Sequence, residues 1–182
     1  MTELSLNILD IVQNSVAAGA NLIEISINES VKTDKLEVLI KDNGKGIPKH
    51  IMATVDDPFT TTRTTRKMGL GLPLLRYHAS LTGGDIEIKS EEGKGTEVKA
   101  FFGRSHIDRQ PLGDITGVLI ILISANPDID FLYTHSTDSG CYRFSTIETK
   151  RLLEIKKIND YGLLRDIGEM VRENLTSISV SD

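Results

Sequence analysis

The sequence is poor in several features, and each shortage excludes a class of protein. Its 182 residues contain no tryptophan and one cysteine, Cys141, so no intramolecular disulfide can form. The net charge is −5 and no run of lysine or arginine occurs, which argues against duplex DNA as a partner. The longest apolar run, residues 117–125, is too short to cross a bilayer, and the polar start at Thr2-Glu3 does not resemble a signal peptide. We therefore expect a cytoplasmic protein that binds neither nucleic acid nor membranes.

Apolar periodicity is present, and it predicts alternating helices and strands. Residues 3–18 repeat apolar side chains at helical spacing, and residues 23–27 alternate apolar and polar side chains as a half-buried strand does. The same patterns predict a strand at 36–40, a helix at 69–82, and strands at 86–88 and 98–102. Paired strands with helices between them favour an α/β fold, built as an α+β two-layer sandwich whose helices cover one face of a mixed sheet.

The character of the chain changes after Phe102. A polar linker at 104–113 leads to an apolar helix at 114–125 and to a hairpin around Thr137-Asp-Ser-Gly140. A capping box at Ser145-Thr-Ile-Glu148 and an amphipathic tail then predict further helices. We expect a first domain at 1–103 and a small C-terminal α/β extension at 104–182, to which the sequence assigns no role.

Four short segments carry the chemistry, and none of them matches a P-loop. They are Asp10-Ile-Val-Gln-Asn14, Asp42-Asn-Gly-Lys-Gly-Ile47, Gly69-Leu-Gly-Leu72 and Gly93-Lys-Gly-Thr96. Together with Pro58-Phe-Thr-Thr-Thr-Arg63 they resemble, in order and spacing, the nucleotide site of the GHKL superfamily. That superfamily groups gyrase-type topoisomerases, heat-shock chaperone ATPases, histidine kinases and mismatch-repair ATPases. The resemblance spans residues 3–103 and implies an ATP-binding domain.

The resemblance assigns the adenine end of the site to the second and fourth segments. Asp42 would accept a hydrogen bond from the adenine amino group, and a buried carboxylate needs such a partner. Gly44 and Gly46 would let the backbone approach the base, and Ile47 belongs to the same nucleotide contact. Thr96 would supply a second polar anchor, although a threonine that opens a strand can also be an ordinary β-branched strand residue.

The first helix would supply the metal ligand and the catalytic acid. The side-chain oxygen of Asn14 suits Mg²⁺; the alternative is that Asn14 caps the turn at Gly19. Asp10 lies one helical turn earlier on the same face. The resemblance places a glutamate general base there in mismatch-repair and chaperone ATPases and in anti-sigma-factor serine kinases, and usually asparagine in histidine kinases. Asp10 is therefore the candidate base, or else an acid that faces solvent.

The phosphate end of the predicted site combines a helix start with a lid. Gly69, Leu70, Gly71 and Leu72 open the helix at 69–82, where free backbone N–H groups attract phosphate. Residues 56–68 would form the lid over the triphosphate. Its nucleotide contacts would come from Thr61 and from the cations Arg63, Arg66 and Lys67. A solvated basic loop is the alternative for each of these cations.

Two branches of the superfamily meet in this sequence. The stretch Gln13-Asn-Ser-Val-Ala-Ala-Gly-Ala20 looks like the mismatch-repair ATPases, while the later segments and the short lid look more like histidine kinases. We expect a stand-alone histidine-kinase-type enzyme that uses Mg-ATP and passes the γ-phosphoryl to the histidine or serine of a protein acceptor. The alternative is an ATP-gated regulatory module with little turnover, similar to anti-sigma-factor or mismatch-repair ATPases, whose partner is a regulated protein. A homodimer is left open.

One segment resembles the phosphoacceptor box of histidine kinases but stands in an unusual place. Ser105-His-Ile-Asp-Arg-Gln-Pro-Leu112 follows the ATP domain, whereas the family carries this box before it. The acid that normally follows the histidine is replaced by Ile107. We interpret His106 as a linker histidine, with phosphoacceptor as the alternative.

Overall fold

One mixed sheet of six strands organises the molecule. A computed structural model describes residues 3–48 and 71–178. The strands are β1 (Leu22–Ser30), β2 (Lys35–Asp42), β3 (Ile86–Glu91), β4 (Gly95–Gly103), β5 (Asp130–Thr137) and β6 (Gly140–Ser145). Their order across the sheet is β3-β4-β2-β1-β5-β6. All neighbours are antiparallel except β1 and β5, which run parallel.

Five helices lie among the described residues. They are α1 (Leu4–Ala17), α2 (Gly71–Leu81), α3 (Ile115–Ala125), α4 (Thr146–Leu152) and α5 (Tyr161–Ser177). The expected helices at 3–18 and 114–125 are confirmed, as is the part of the 69–82 helix that the structure describes. The helix start at Ser145 is also confirmed, because the Ser145 hydroxyl caps it by accepting a hydrogen bond of 3.2 Å from the Glu148 amide.

The sheet buries one face and leaves the other to water. In β1 the side chains of Ile23, Ile25 and Ile27 are buried, and the polar residues between them point outward. The outer face carries ion pairs instead, such as Lys99 with Glu37 at 3.1 Å. An apolar face on every second residue of a strand requires a covering layer, and the helices supply it. The expected two-layer α+β fold with helices on one face is therefore confirmed.

The C-terminal strands continue the same sheet. β5 pairs in parallel with β1 from Leu22 opposite Asp130 to Asn28 opposite Ser136, and β6 turns back beside β5 as the expected hairpin. The expected division into 1–103 and 104–182 stays a prediction. None of the helices among the described residues is both long and apolar enough to cross a membrane.

A chain of buried polar side chains joins β1 to β5. The imidazole of His135 lies 2.8 Å from a carboxylate oxygen of Glu29 through Nε2 and 2.6 Å from the Tyr133 hydroxyl through Nδ1. Burial, with the nearby charge of Glu29, raises the pKa of Tyr133, so its hydroxyl keeps the proton. Since a carboxylate only accepts hydrogen bonds, Nε2 of His135 donates to Glu29. All three side chains are thus satisfied inside the core.

Candidate functional site

A cavity of about 540 Å³ opens between helix α1 and the ends of β2 and β4. That volume lies within the usual range for small-molecule sites. The lining includes members of all four segments singled out in the sequence, among them Asn14, Asp42, Ile47, Leu72 and Thr96. Segments separated by up to eighty residues therefore converge on one cavity, which their sequence order alone could only suggest.

Asp42 ends β2 at the wall of this cavity and is almost completely buried. One carboxylate oxygen, Oδ2, accepts a hydrogen bond of 2.6 Å from the Ser15 hydroxyl. The other, Oδ1, accepts from the backbone amides of Gly44 at 2.9 Å and Thr96 at 3.3 Å. A carboxylate has about four acceptor positions, so these three donors leave one for a ligand.

Thr96 lies beside Asp42 because β2 and β4 pair these two residues directly. Its hydroxyl is 2.9 Å from the hydroxyl of Ser90 on β3. Ser90 also accepts a hydrogen bond of 2.7 Å from the Ile47 amide, which attaches the segment after β2 to the edge of the sheet. Ser90 therefore organises two of the predicted nucleotide contacts.

Two glycines of these segments are needed for close backbone packing. Gly46 has a φ of +68°, and a Cβ there would overlap the carbonyl of Glu91. Gly95 has a φ of +114°, and a Cβ there would overlap the carbonyl of Asp42. Side chains are strained at such φ values as well as excluded by space. Gly44 is confined more mildly, since a Cβ would lie 3.0 Å from that of Ala18.

Helix α1 presents the candidate metal ligand and the candidate base on neighbouring turns. Asn14 lines the cavity, and its side chain forms no hydrogen bond within the described residues, so its oxygen is available to a cation. Asp10 is half-buried and lies next to Gly71. A Cβ added to Gly71 would be 3.0 Å from the Cβ of Asp10. The Asp10 carboxylate likewise has no hydrogen-bond partner in the described part of the chain. These environments fit a Mg²⁺ ligand and a base, roles that stay predictions.

Six predicted contacts cannot be placed, because Thr61, Arg63, Arg66, Lys67, Gly69 and Leu70 lie outside the described residues. The predicted lid at 56–68 lies there too. Within residues 3–48 and 71–178, no cluster of three histidine, cysteine, aspartate or glutamate side chains could hold a metal ion. Mg²⁺ in nucleotide sites is held by one or two protein oxygens together with phosphate oxygens and water, and Asn14 could supply one such oxygen.

Sequence reasoning missed Ser15 and Ser90. Ser15 had a detectable signal, because it lies four residues after Ile11 on the apolar face of α1, where a polar side chain needs a buried partner. Ser90 lies two residues after Ile88 on the same face of β3. Its contact with Thr96 depends on the pairing of β3 with β4, which the sequence does not show. Lys45 and Glu92 also line the cavity and were assigned no role.

His106 lies at the opposite end of the sheet from Asp42. It follows Gly103, which pairs with Lys35 at the start of β2, whereas Asp42 ends that strand. Eight residues of strand place the two ends roughly 24 Å apart. The Nδ1 atom of His106 accepts a hydrogen bond of 3.2 Å from the Asp108 amide.

Comparisons with known proteins agree with this geometry. The family model described as histidine kinase-, DNA gyrase B-, and HSP90-like ATPase matches residues 1–105. The sensor kinase CckA of Brucella abortus (strain 2308) is 34% identical over 87 residues, which are 47% of this chain and 9% of that protein. The sensor histidine kinase WalK of Bacillus subtilis (strain 168) is 37% identical over 81 residues, 42% of this chain and 13% of that protein. The chain thus spans about a tenth of the length of these curated relatives.

A solved structure extends the likeness in fold. The N-terminal domain of a DNA repair protein matches with a TM-score of 0.51 and 19% identity, covering 98% of this chain and 57% of that one. The fold and the convergent segments define a GHKL-type ATPase domain. The chain belongs to the family of histidine kinase-, DNA gyrase B- and HSP90-like ATPases, as the resemblance predicted.

Proposed function

We propose that this chain binds Mg-ATP in the cavity beside Asp42 and transfers the γ-phosphoryl to a separate protein acceptor, as a histidine-kinase-type phosphotransferase. The observation that carries the proposal is the convergence of all four segments on one cavity. The curated relatives CckA and WalK are a sensor kinase and a sensor histidine kinase, which supports kinase chemistry over other activities of the family.

Recognition of the base follows from the acceptor pattern of Asp42. Ser15 and two backbone amides occupy three acceptor positions of the carboxylate, and the remaining one favours a donor such as the adenine amino group. A guanine would present a carbonyl oxygen at that point, and two acceptors facing each other in a buried site are unfavourable. Apolar side chains of Ile40 and Val98 would enclose the ring.

Asn14 and helix α2 would hold the phosphate end. The side-chain oxygen of Asn14 would ligate the cation, and bound Mg²⁺ would neutralise charge on the phosphate oxygens. The start of α2 at Gly71 would present backbone N–H groups to the phosphates. Asp10 would accept a proton from the acceptor side chain while that side chain bonds to the γ-phosphorus. The bond between this phosphorus and the bridging oxygen of ADP breaks at the same time, and ADP leaves. His106 lies at the opposite end of β2 from Asp42 and the proposed adenine site. This distance is a reason to look for the phosphoacceptor in another protein.

Incubation of the full chain with γ-radiolabelled ATP tests this function. Candidate acceptor proteins are added one at a time, and label on protein is compared with released phosphate and ADP. Label on an acceptor that survives removal of nucleotide supports the kinase. Tight ATP binding with neither transfer nor hydrolysis would instead support the ATP-gated regulatory module. Absence of ATP binding would refute both.

A further inference from the structure

The first turn of helix α1 is capped by the linker that follows β4. The first amides of a helix have no partners within the helix, and here the side chain of Glu3 provides no cap. Instead the Leu4 amide donates to the Pro111 carbonyl at 3.0 Å, and the Ser5 amide donates to the Leu112 carbonyl at 2.8 Å. The helix that carries the candidate base is thus held at its start by backbone more than a hundred residues away.

The side chain of Gln110 connects this helix to its neighbour α2. The Asn7 amide group, fully buried, donates to Gln110 Oε1 at 3.0 Å. The Gln110 Nε2 atom lies 3.4 Å from Nε2 of His78 near the end of α2. Burial lowers the pKa of His78, which favours the neutral ring, and a neutral ring protonated on Nδ1 accepts from the Gln110 amide at Nε2. One side chain therefore links two helices.

This link and the candidate base lie along a single contact between α1 and α2. Asn7 and Asp10 are three residues apart and share a face of α1. Gly71 and His78 are seven residues apart, two turns along α2, so they share a side of that helix. Asp10 meets Gly71 at one end of the contact, and Asn7 meets His78 through Gln110 at the other. A change in the link at Gln110 would therefore shift Asp10 relative to Gly71.

We infer that Gln110 is a positioning residue for the reaction proposed above, because it sets helix α1 against α2 and so fixes Asp10 relative to Gly71. The inference rests on the proposed phosphotransferase function. Gln110 lies beyond residues 1–105, the part that the family model matches. The linker at 104–113 thus contributes to the geometry of the site. A partner bound to this linker would change the rate of the reaction by moving α1.

Steady-state kinetics on the full chain tests this role. The variants are Gln110→Ala, Asn7→Ala and the two combined, and Asn159→Ala, which removes an exposed amide just before helix α5, is the matched control. A small misplacement of a catalytic group is costly, so kcat should fall about tenfold in Gln110→Ala. KM for ATP should change less than about twofold, because Asp42 is untouched. The combined variant should be no slower than either single one, because both break the same link.

Two further readouts separate positioning from a purely structural role. Gln110→Glu keeps the oxygen that accepts from Asn7 and should recover part of kcat. Thermal unfolding of every variant shows whether the protein is folded at the assay temperature. A Gln110→Ala enzyme as fast as wild type, or one whose loss equals its unfolded fraction, would overturn the inference.

A measurement without turnover keeps the inference apart from the proposed function. Should wild type bind ATP without turning it over, the phosphotransferase proposal fails while positioning is still measurable by hydrogen exchange. Adding ADP should protect amides of α1 in wild type and in Asn159→Ala, and this protection should be lost in Gln110→Ala. Equal protection in all three proteins would refute positioning by Gln110. A wild type that binds no nucleotide removes both proposals.

Discussion

Replacing Asp42 by asparagine changes one atom and tests the whole account of base recognition. In wild type, Oδ1 faces two amide donors, from Gly44 and Thr96, and Oδ2 faces the Ser15 hydroxyl. The new amide therefore keeps its oxygen toward the two backbone donors. Its NH₂ group takes the place of Oδ2, and the Ser15 hydroxyl can rotate to accept from it. The part of the site that faces the ligand changes from acceptor to donor.

The magnitude follows from that reversal. The adenine amino group loses a hydrogen bond to a charged acceptor and meets a second donor in a buried site. Such a loss typically costs about 1–3 kcal/mol, which corresponds to an affinity for ATP weaker by about 5- to 150-fold. Because the amide and the carboxylate have nearly the same shape, the neighbouring hydrogen bonds at Gly44 and Thr96 should persist and the fold should be unaffected.

Titration calorimetry with two nucleotides gives the decisive comparison. Asp42→Asn should bind ATP more weakly, yet bind inosine triphosphate better than wild type does, because hypoxanthine presents a carbonyl where adenine presents an amino group. Asp128→Asn is the matched control, since Asp128 is exposed and pairs with Lys157. Equal ATP affinity in wild type and Asp42→Asn, or equal losses for both nucleotides, would refute the assignment of Asp42 to the base.

Three further expectations concern the metal, the base and a turn remote from the site. Asn14→Ala should abolish the increase in nucleotide affinity that Mg²⁺ gives wild type, measured by calorimetry with and without the cation, and an undiminished increase contradicts the metal role. Asp10→Asn should keep ATP affinity but lower turnover by roughly 10²–10⁴, whereas Asp10→Glu should raise it if the shorter reach of aspartate is limiting. Backbone hydrogen bonding, first from the Lys32 amide, lowers the pKa of Asp138 below its ordinary 3.8, so its stabilising effect is present above that pH and lost on acidification below it. The thermal midpoints of wild type and Asp138→Asn should therefore differ at neutral pH and converge on acidification; a constant difference contradicts this.

The order of the elements and the members of the cavity were within reach of the sequence. Helical spacing marked α1, alternation marked β1 and β2, and the capping box marked the start of α4. Each of these signals is local, because it comes from residues within one or two turns of each other. The nucleotide segments were also local, and the resemblance supplied what spacing could not, namely that Asp42 and Asn14 belong to one site.

The position of the C-terminal strands was out of reach. Alternation shows that residues 131–136 form a strand, but nothing in it says which strand they pair with. In the structure β5 pairs with the free side of β1, so the C-terminal extension adds two strands to the sheet. The contacts of the Ser90 hydroxyl and of Gln110 could not be predicted for the same reason. Their partners depend on how helices and strands pack together and not on neighbours in the sequence.

The buried chain from Tyr133 through His135 to Glu29 restricts the register in which β5 pairs with β1. A slip of one residue would turn His135 to the outer face of the sheet, and a slip of two that sets it opposite Ile25 would part it from Glu29. Either slip breaks the buried hydrogen bond between His135 and Glu29, and losing one partner of such a bond costs about 1–3 kcal/mol. The isoleucines of β1 alone would accept a slip of two, because their pattern repeats with that period. The polar chain therefore disfavours slips that the isoleucines alone would allow.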